Sequence, residues 1–518
     1  MKLNVNISIP FNQSITSLSK HKLLISQQTK IPEEEINGIY LIKKSVDARQ
    51  KEILVHYTYE VFVNEPLVFR KYIFNYENVS KKDSILIIGA GPAGLFAALR
   101  LIELGMRPIV IERGKNVENR KLDISLITRK RLIDENSNFC FGEGGAGTYS
   151  DGKLYTRSTK KGDINRILAI LHEHGASENI LVDSHPHIGT DKLPSIIASI
   201  RNTIINYGGQ IHYNKRVSDL IINDKIVTGV ITNCGNVYDG KAVILATGHS
   251  ARDVYEMLSQ KNILIEPKPF AVGVRIEHPQ NLIDSIQYHC DIKNEFLPAS
   301  SYHLACQSGN KGVYSFCMCP GGTIVNASTS QNELVLNGMS NSLRNLPFAN
   351  SGIVVSVEMS DLTKYAEFGV FAGVKFQEAI EKLAFKAGGG DYTAPAQRMV
   401  DFVENRISSN LNNSSYFLGI KSNLLHEILP SFIVKRMQEA FVIFGKKMKG
   451  FYTNQATLLG VETRTSSPIR IPRNLENLQH IQISNLYPSG EGSGYAGGIV
   501  SSAIDGERCA EAIIKKFR

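Results

Sequence analysis

The chain has 518 residues, 42% hydrophobic and 21% charged, a balance that describes a folding polypeptide rather than a disordered one, with a length that suggests about three domains. Against 49 Asp and Glu stand 58 Lys and Arg, a net charge of +9, which suits nucleic acid, anionic lipid or an anionic cofactor and does not choose among them. Seven cysteines, an odd number with no C-x-x-C pair, argue against a disulfide-built secreted scaffold and against a cysteine-rich zinc module.

Residues 1–82 read as a small α/β unit: residues 3–9 alternate as a strand does, residues 17–28 suit a helix, and residues 53–63 alternate again. Glu33, Glu34 and Glu35 follow Pro32 and suit a helical first turn. No sustained apolar run precedes Asn12 and Gln13, so the start does not read as a signal peptide. Lys81 and Lys82 close the unit, and the apolar run 85–88 reads as a strand buried on both faces of a parallel sheet. The longest apolar stretch, residues 85–99, contains three Gly and a Pro and is too short and broken to span a bilayer. A soluble, cytoplasmic protein with no membrane partner is expected.

That stretch carries Gly89-Ala-Gly91-Pro-Ala-Gly94, a G-x-G-x-x-G set after a strand and at the start of an apolar helix, and a second strand at 108–111 ends in Glu112. Gly89 permits the tight turn, Gly91 lets backbone approach a pyrophosphate, and Gly94 lets the helix pack closely on the strand. The helix start turns its partial positive charge to the phosphates. Glu112 is positioned to accept hydrogen bonds from both hydroxyls of an adenosine ribose and disfavours a 2′-phosphate, so FAD or NAD fits and NADP does not. Residues 142–152 then hold five Gly without apolar periodicity, a segment suited to bringing backbone N–H groups to a bulky ligand or to forming a flexible surface loop. His172, His174, His185 and His187 lack a Cys or carboxylate at ligand spacing, so no metal is expected. Loop packing and helix capping around Thr190 and Asp191 account for them better.

Strands at 210–213, 219–222 and 227–232 read as a β-meander feeding an apolar strand at 242–246, which ends in Ala246-Thr247-Gly248. His249 follows, as a candidate acid, base or charge-stabilising group or as a solvent-side residue at a helix start. Residues 255–450 mix strands around 270–276 and 354–358 with helices at 374–386, 396–405 and 431–447, and hold no second G-x-G-x-x-G. Arg275 and Glu277 share one face of a strand and are expected to pair, with substrate-carboxylate binding by Arg275 as the catalytic alternative. Cys317 and Cys319 lie about 6.6 Å apart on an extended strand and are expected to be buried core thiols unless a bend at Pro320 joins them. Arg464, Ser466 and Ser467 form either a cofactor-edge group or a polar turn. A strand around 481–485 delivers the last glycine cluster, five Gly within 490–498, into a helix running through residue 512.

Three stations, Gly89 to Glu112, Ala246-Thr247-Gly248, and Gly490-Glu491 before a C-terminal helix, resemble the FAD domain of glutathione-reductase-type flavoproteins. Longer segments sharpen the likeness: Gly142-Glu-Gly-Gly-Ala-Gly-Thr-Tyr-Ser-Asp-Gly-Lys-Leu154, His185-Pro-His-Ile-Gly-Thr-Asp191, Ala246-Thr-Gly-His-Ser-Ala-Arg-Asp253, Gly273-Val-Arg-Ile-Glu-His278, Phe316-Cys-Met-Cys-Pro-Gly-Gly322 and Gly460-Val-Glu-Thr-Arg-Thr-Ser-Ser-Pro468. These are similar to the large bacterial family of functionally uncharacterised FAD-dependent dehydrogenases, along nearly the whole chain.

The resemblance implies an α/β protein with a Rossmann-type FAD/NAD(P)-binding domain and β-meander, discontinuous as residues 83–254 and 451–518. An inserted α+β substrate domain at 255–450 and a small N-terminal α/β domain at 1–82 complete it. It implies FAD held by Gly89, Gly91, Pro92, Ala93 and Gly94 at the pyrophosphate and by Glu112 at the adenosine ribose, with Arg113 as a further cofactor-binding residue. The glycine loop is expected to add Gly144, Gly145, Ala146, Ser150 and Asp151. Val217 is expected to meet the adenine through its backbone, and Thr247 and Gly248 the cofactor's flank. Gly490, Glu491, Ala496, Gly497, Gly498 and Ile499 are expected at the flavin, with Glu491 on a ribityl hydroxyl where Asp is commoner. The expected activity is an FAD-dependent oxidoreductase acting on a small organic substrate. Electrons from transiently docked NAD(P)H, from the substrate, or from a redox partner protein remain open alternatives. A flavin enzyme acting on RNA is disfavoured, because residues 1–82 carry 12 basic against 8 acidic side chains and no aromatic RNA-binding motif. A non-catalytic flavin-holding sensor is the third alternative.

Overall fold

In the N-terminal unit, β1 (Lys2–Pro10), α1 (Leu18–Thr29), β2 (Ile36–Asp47) and β3 (Leu54–Val63) form an antiparallel sheet of order β1-β3-β2 with one helix. The structure, a computed structural model, describes residues 1–13, 17–50, 52–68, 72–156, 162–289 and 297–518. The alternation of β1 buries Val5, Ile7 and Ile9 against Ile25 of α1. Sequence pattern misses β2, because this edge strand leaves residues such as Lys43 and Lys44 exposed and shows little period-two burial. The acidic triplet is a single 3₁₀ turn, Glu33–Glu35.

Next come β4 (Ser84–Ile88), α2 (Pro92–Glu103), β5 (Arg107–Ile111), α3 (Val117–Lys130), α4 (Ile164–Glu173), α5 (Leu193–Asn206) and β6 (Gln210–His212). Since β6 pairs in parallel with β5, residues 210–212 close the parallel sheet and do not start the meander. The meander is a separate sheet of β7 (Val217–Asn223), β8 (Ile226–Thr232) and β9 (Val237–Asp239), and it leads to β10 (Ala242–Leu245) and α6 (Arg252–Gln260).

The inserted part holds β11 (Glu266–Pro267), β12 (Phe270–Pro279), α7 (Gln280–Tyr288), β13 (Ala305–Ser308), β14 (Lys311–Asn326), β15 (Leu336–Ser340), β16 (Phe348–Val357), α8 (Ala372–Gly388), β17 (Ala394–Arg398), α9 (Met399–Val403), β18 (Ile420–Ser422), α10 (Ser431–Lys447) and β19 (Thr457–Glu462). Its large sheet runs β13-β14-β16-β12-β19-β17-β18, with β15 on β14. The segment expected to begin the C-terminal FAD-binding part at 451 therefore gives β19 to the inserted sheet. Residues 396–405, expected as one helix, are the end of β17 and the five-residue α9: pairing of Ala396 and Gln397 with β19 overrides the helix preference of alanine.

The chain returns through β20 (Ile469–Arg470), β21 (Leu486–Pro488) and α11 (Ile499–Phe517). The strand expected at 481–485 lies further along, because His480 Nδ1 accepts the N–H groups of Gln482 and Ile483 and turns the chain there. The completed parallel sheet has the order β21-β10-β4-β5-β6. Both faces are buried: Ile85 and Ile87 of β4 pack under α2 and α11, and Leu86 and Ile88 pack on the α6 and meander side. Among the described residues no helix is long and apolar enough to cross a membrane.

Candidate functional site

The ends of β4, β10 and β21 open onto a cavity of about 370 Å³, at the strand ends where open parallel sheets take their ligands. Gly89 leaves β4 with φ 103°, and a Cβ there would meet the Ala246 carbonyl oxygen at 2.4 Å. In α2 a Cβ on Gly94 would lie 2.0 Å from the Gly89 carbonyl oxygen, so only glycine lets this helix sit on its strand. At Gly91 a Cβ would approach nothing closer than Gly145 Cα at 3.9 Å; the backbone at the helix start is open to the cavity.

Glu112 ends β5 almost completely buried on the cavity wall. One of its oxygens accepts the Ala90 N–H at 2.8 Å, and the other accepts those of Gly114 at 2.9 Å and Gly142 at 3.0 Å. A carboxylate has about four lone-pair sites, and three backbone N–H groups already use this one. It also fastens the glycine loop to the first turn.

That loop is not a flexible surface segment. Arg120 of α3, fully buried, donates to the carbonyls of Asn138 at 2.8 Å, Phe139 at 3.0 Å, Gly142 at 3.3 Å and Glu143 at 2.7 Å. Such an arginine neutralises four backbone acceptors that burial would otherwise leave unpaired. Sequence reasoning missed Arg120, whose one outward signal is its place on the otherwise polar helix before the loop. Asp151 pairs with Arg344 at 2.5 Å and Lys153 at 3.1 Å. Burial opposes its ionisation, but these two cations hold its carboxyl well below the usual range.

Most of the expected cofactor residues do line the cavity: Gly89, Gly91, Pro92, Ala93, Glu112, Arg113, Gly145, Ala146, Ser150, Asp151, Val217, Thr247, Gly248, Gly490, Glu491, Gly497, Gly498 and Ile499. Gly94, Gly144 and Ala496 do not: Gly94 packs the helix, and a Cβ on Gly144 would collide with Thr148 Oγ1. His249 reaches the wall with Nε2 3.0 Å from the Arg464 carbonyl. A carbonyl only accepts, so Nε2 carries the proton and Nδ1 is the accepting atom of the neutral ring.

The inserted sheet supplies the opposite wall through Phe316, Cys317, Asn337, Arg464 and Thr465. Arg275 lies behind it and does not pair with Glu277. Its guanidinium takes Glu462 at 2.8 Å and Asn350 Oδ1 at 2.8 Å, while Glu277 accepts the N–H and hydroxyl of Ser415. The shared face of β12 was read correctly, but β19 and the 414–415 loop bring nearer partners. Burial lifts the Glu462 carboxyl to about 7 against the pull of Arg275. Cys317, expected in the core, is on the cavity wall, while Cys319 is buried; the six described cysteines are free thiols, and Cys290 lies outside the described residues.

Arg464 belongs to a buried cluster that sequence reasoning did not find. Glu381 of α8 lies 2.8 Å from Arg464 and 3.0 Å from Arg252 of α6, and Glu333 lies 3.3 Å and 3.4 Å from the same two cations. Glu381, the closer one, stays ionised despite burial, while burial and the charge of Glu381 push Glu333 up to about 7. Ser467, by contrast, accepts or donates at Tyr255 Oη within the core. Asp191 caps no helix; it accepts from the N–H and hydroxyl of Ser342, and Lys192, the residue before α5, makes no side-chain cap. Among the described residues no group of three His, Cys, Asp or Glu is placed to hold a metal.

The residues suit a dinucleotide flavin. A Cβ at Gly248, Gly497 or Gly498 would meet no atom within 4 Å, so bare backbone faces open cavity from two separate places besides α2. Arg113 lies over the Phe141 ring at 4.1 Å, and Lys215 and Arg216 stand on the same wall, where Asp253 pairs with Arg113 at 2.9 Å and with Arg216 at 3.4 Å; the three cations outnumber that carboxylate near a diphosphate.

Residues 269–465 match the family described as FAD-dependent protein, C-terminal domain-like; residues 82–122 match the FAD binding domain, and residues 1–62 a domain of unknown function. Over 99% of its length the chain is 39% identical to a Clostridium beijerinckii protein named "Uncharacterized protein", covering 98% of that protein. Among solved structures it is similar to L-proline dehydrogenase from P. horikoshii (TM-score 0.34, 13% identity, 84% of this chain and 94% of that one). It is also similar to glycine oxidase from Bacillus cereus (TM-score 0.30, 13% identity, 84% and 96%). Its relative and its matched domains place the chain in a family of FAD-dependent proteins, to which it belongs.

Proposed function

We propose that the protein is an FAD-dependent oxidoreductase that moves a hydride between the flavin and a small organic substrate held where the parallel sheet meets the inserted sheet. One observation carries this reading: glycine stations about 400 residues apart converge on a single cavity whose far wall is made of inserted-sheet side chains. The glycine side suits a large cofactor, and the side-chain wall suits selection of a second, smaller molecule.

When bound, FAD supplies two-electron chemistry, and the protein supplies position, charge and dryness. The starts of α2 and α11 offer backbone N–H groups to the diphosphate and flavin. Glu112 and Arg120 hold the glycine loop in shape, and Arg113, Lys215 and Arg216 balance negative charge. His249, oriented by the Arg464 carbonyl, presents Nδ1 as a proton acceptor. NAD(P)H or a redox partner protein, as electron donor, would meet the same cavity transiently.

Anaerobic titration of the FAD-loaded protein with NADH, NADPH and candidate substrates tests the reading. Loss of the oxidised-flavin absorbance with one of them, and its return with an electron acceptor, is the expected result. FAD-loaded protein whose flavin no donor reduces would contradict it and favour a flavin-holding sensor.

A further inference from the structure

Cys317 and Cys319 stand where the inserted sheet meets the cavity. Against β16, Phe316 pairs with Gly352 and Cys319 with Asn350, so three steps along β14 match two on its neighbour. Cys317 sits in this bulge with φ 45°. On a flat strand the two Cα atoms would be about 6.6 Å apart, near the limit for a disulfide; a bulge bends the strand and shortens that span. Cys319 Sγ lies 3.3 Å from the Cys317 carbonyl oxygen. The bend lies at Cys317 itself, three residues before Pro320.

The surroundings are cationic. Arg275 donates to the Cys317 carbonyl at 2.6 Å and approaches Cys319 Sγ at 3.5 Å, and Lys153 Nζ lies 3.8 Å from the same sulfur. Lys153 and Cys317 both line the cavity, together with Gly248, His249 and Ile499. A packing role asks for no cation at a buried sulfur, whereas a thiolate does.

We propose that Cys317 and Cys319 are a dithiol–disulfide couple that exchanges two electrons with the flavin; this rests on the FAD reading of the cavity. In the reduced state the pair shares one proton, one sulfur being a thiolate and the other a thiol. Closing the S–S bond releases two electrons and that proton, and oxidised flavin takes up both electrons and the proton. Reduced flavin reverses the step, breaking the S–S bond and restoring one thiol and one thiolate. The contact between the two cysteines, with Lys153 and Arg275 working against burial, pulls one titration of the pair well below the ordinary thiol range and pushes the other above it. Cys317, on the wall, is the sulfur a second molecule in the cavity would meet.

The test counts electrons and thiols on the full FAD-loaded chain. After exposure to air and desalting, acid quenching, denaturation and alkylation followed by peptide mass spectrometry should find Cys317 and Cys319 joined and unlabelled. After anaerobic reduction both should label. Full reduction should consume four electrons per flavin, and two in Cys317→Ser and in Cys319→Ser. Labelling of both cysteines in the air-exposed protein, with two electrons sufficing, would overturn the proposal. A protein that takes up no flavin would instead overturn the cofactor reading, and the thiol count, made on denatured chain, decides the couple separately.

Discussion

Around β4 much of what faces the cavity is backbone, whereas on the inserted sheet, at β14 and β15, side chains form the wall. Gly89, Gly91 and Gly94 fall within six residues, while Arg275 finds Glu462 at a separation of 187 residues and Arg464 finds Glu381 at 83. Recognition by backbone depends on where side chains are missing, and local turn geometry sets those positions. Recognition by side chains depends on which strands become neighbours, which the topology of the whole sheet sets. One half of the cavity is built from local rules and the other from long-range ones.

The two halves should therefore break differently. Gly94→Val would drive its Cβ into the Gly89 carbonyl and lift α2 from β4; a cost above about 5 kcal/mol is expected, enough to prevent folding. The check is loss of both cooperative unfolding and flavin uptake. Arg275→Met leaves Glu462 buried without its cation and should cost about 3–5 kcal/mol in urea unfolding. Adding Glu462→Leu should recover part of that loss, because two apolar side chains need no partner.

Smaller effects sharpen the contrast. Glu112→Ala deprives three backbone N–H groups of their acceptor and should cost about 2–3 kcal/mol together with weaker FAD binding, read by unfolding and by flavin titration. Glu333 titrates at about 7 when folded, above its ordinary 4.5. Its folded pKa is raised, so its contribution to stability is full below about 4.5 and is lost as pH rises through 7. Relative to Glu333→Gln, the wild type should lose about 2–3 kcal/mol of unfolding free energy between pH 5 and pH 8. Lys241→Ala, which removes an exposed pair with Asp83, should change the unfolding free energy in urea by less than about 0.5 kcal/mol.

The same contrast explains what the sequence disclosed. The G-x-G-x-x-G, the strand before it and Glu112 were legible because each lies at a fixed offset within one β-α-β unit. The glycine loop was legible as a ligand-facing segment, but its rigidity was not, since Arg120 clamps it from another element. Arg275 and Glu277 were correctly set on one face, yet period-two spacing cannot say that Glu462 and Ser415 come closer. The bulge that brings Cys317 to Cys319 leaves no local mark except the glycines and proline after it. Strand β2 escaped because its burial does not alternate, unlike that of β1, which lies at the other edge of the same sheet.

The account's central claim, that the backbone-lined side of this cavity holds FAD, is tested most directly by FAD content in the wild type and Gly91→Val. A Cβ at Gly91 would approach nothing closer than Gly145 Cα at 3.9 Å, so the variant should fold normally while its side chain occupies space at the helix start. The account predicts one FAD per wild-type chain and little or none in the variant, with matching urea midpoints once both are stripped of flavin. Wild-type chain that takes up no FAD, or a folded variant that holds FAD as tightly as wild type, would contradict it.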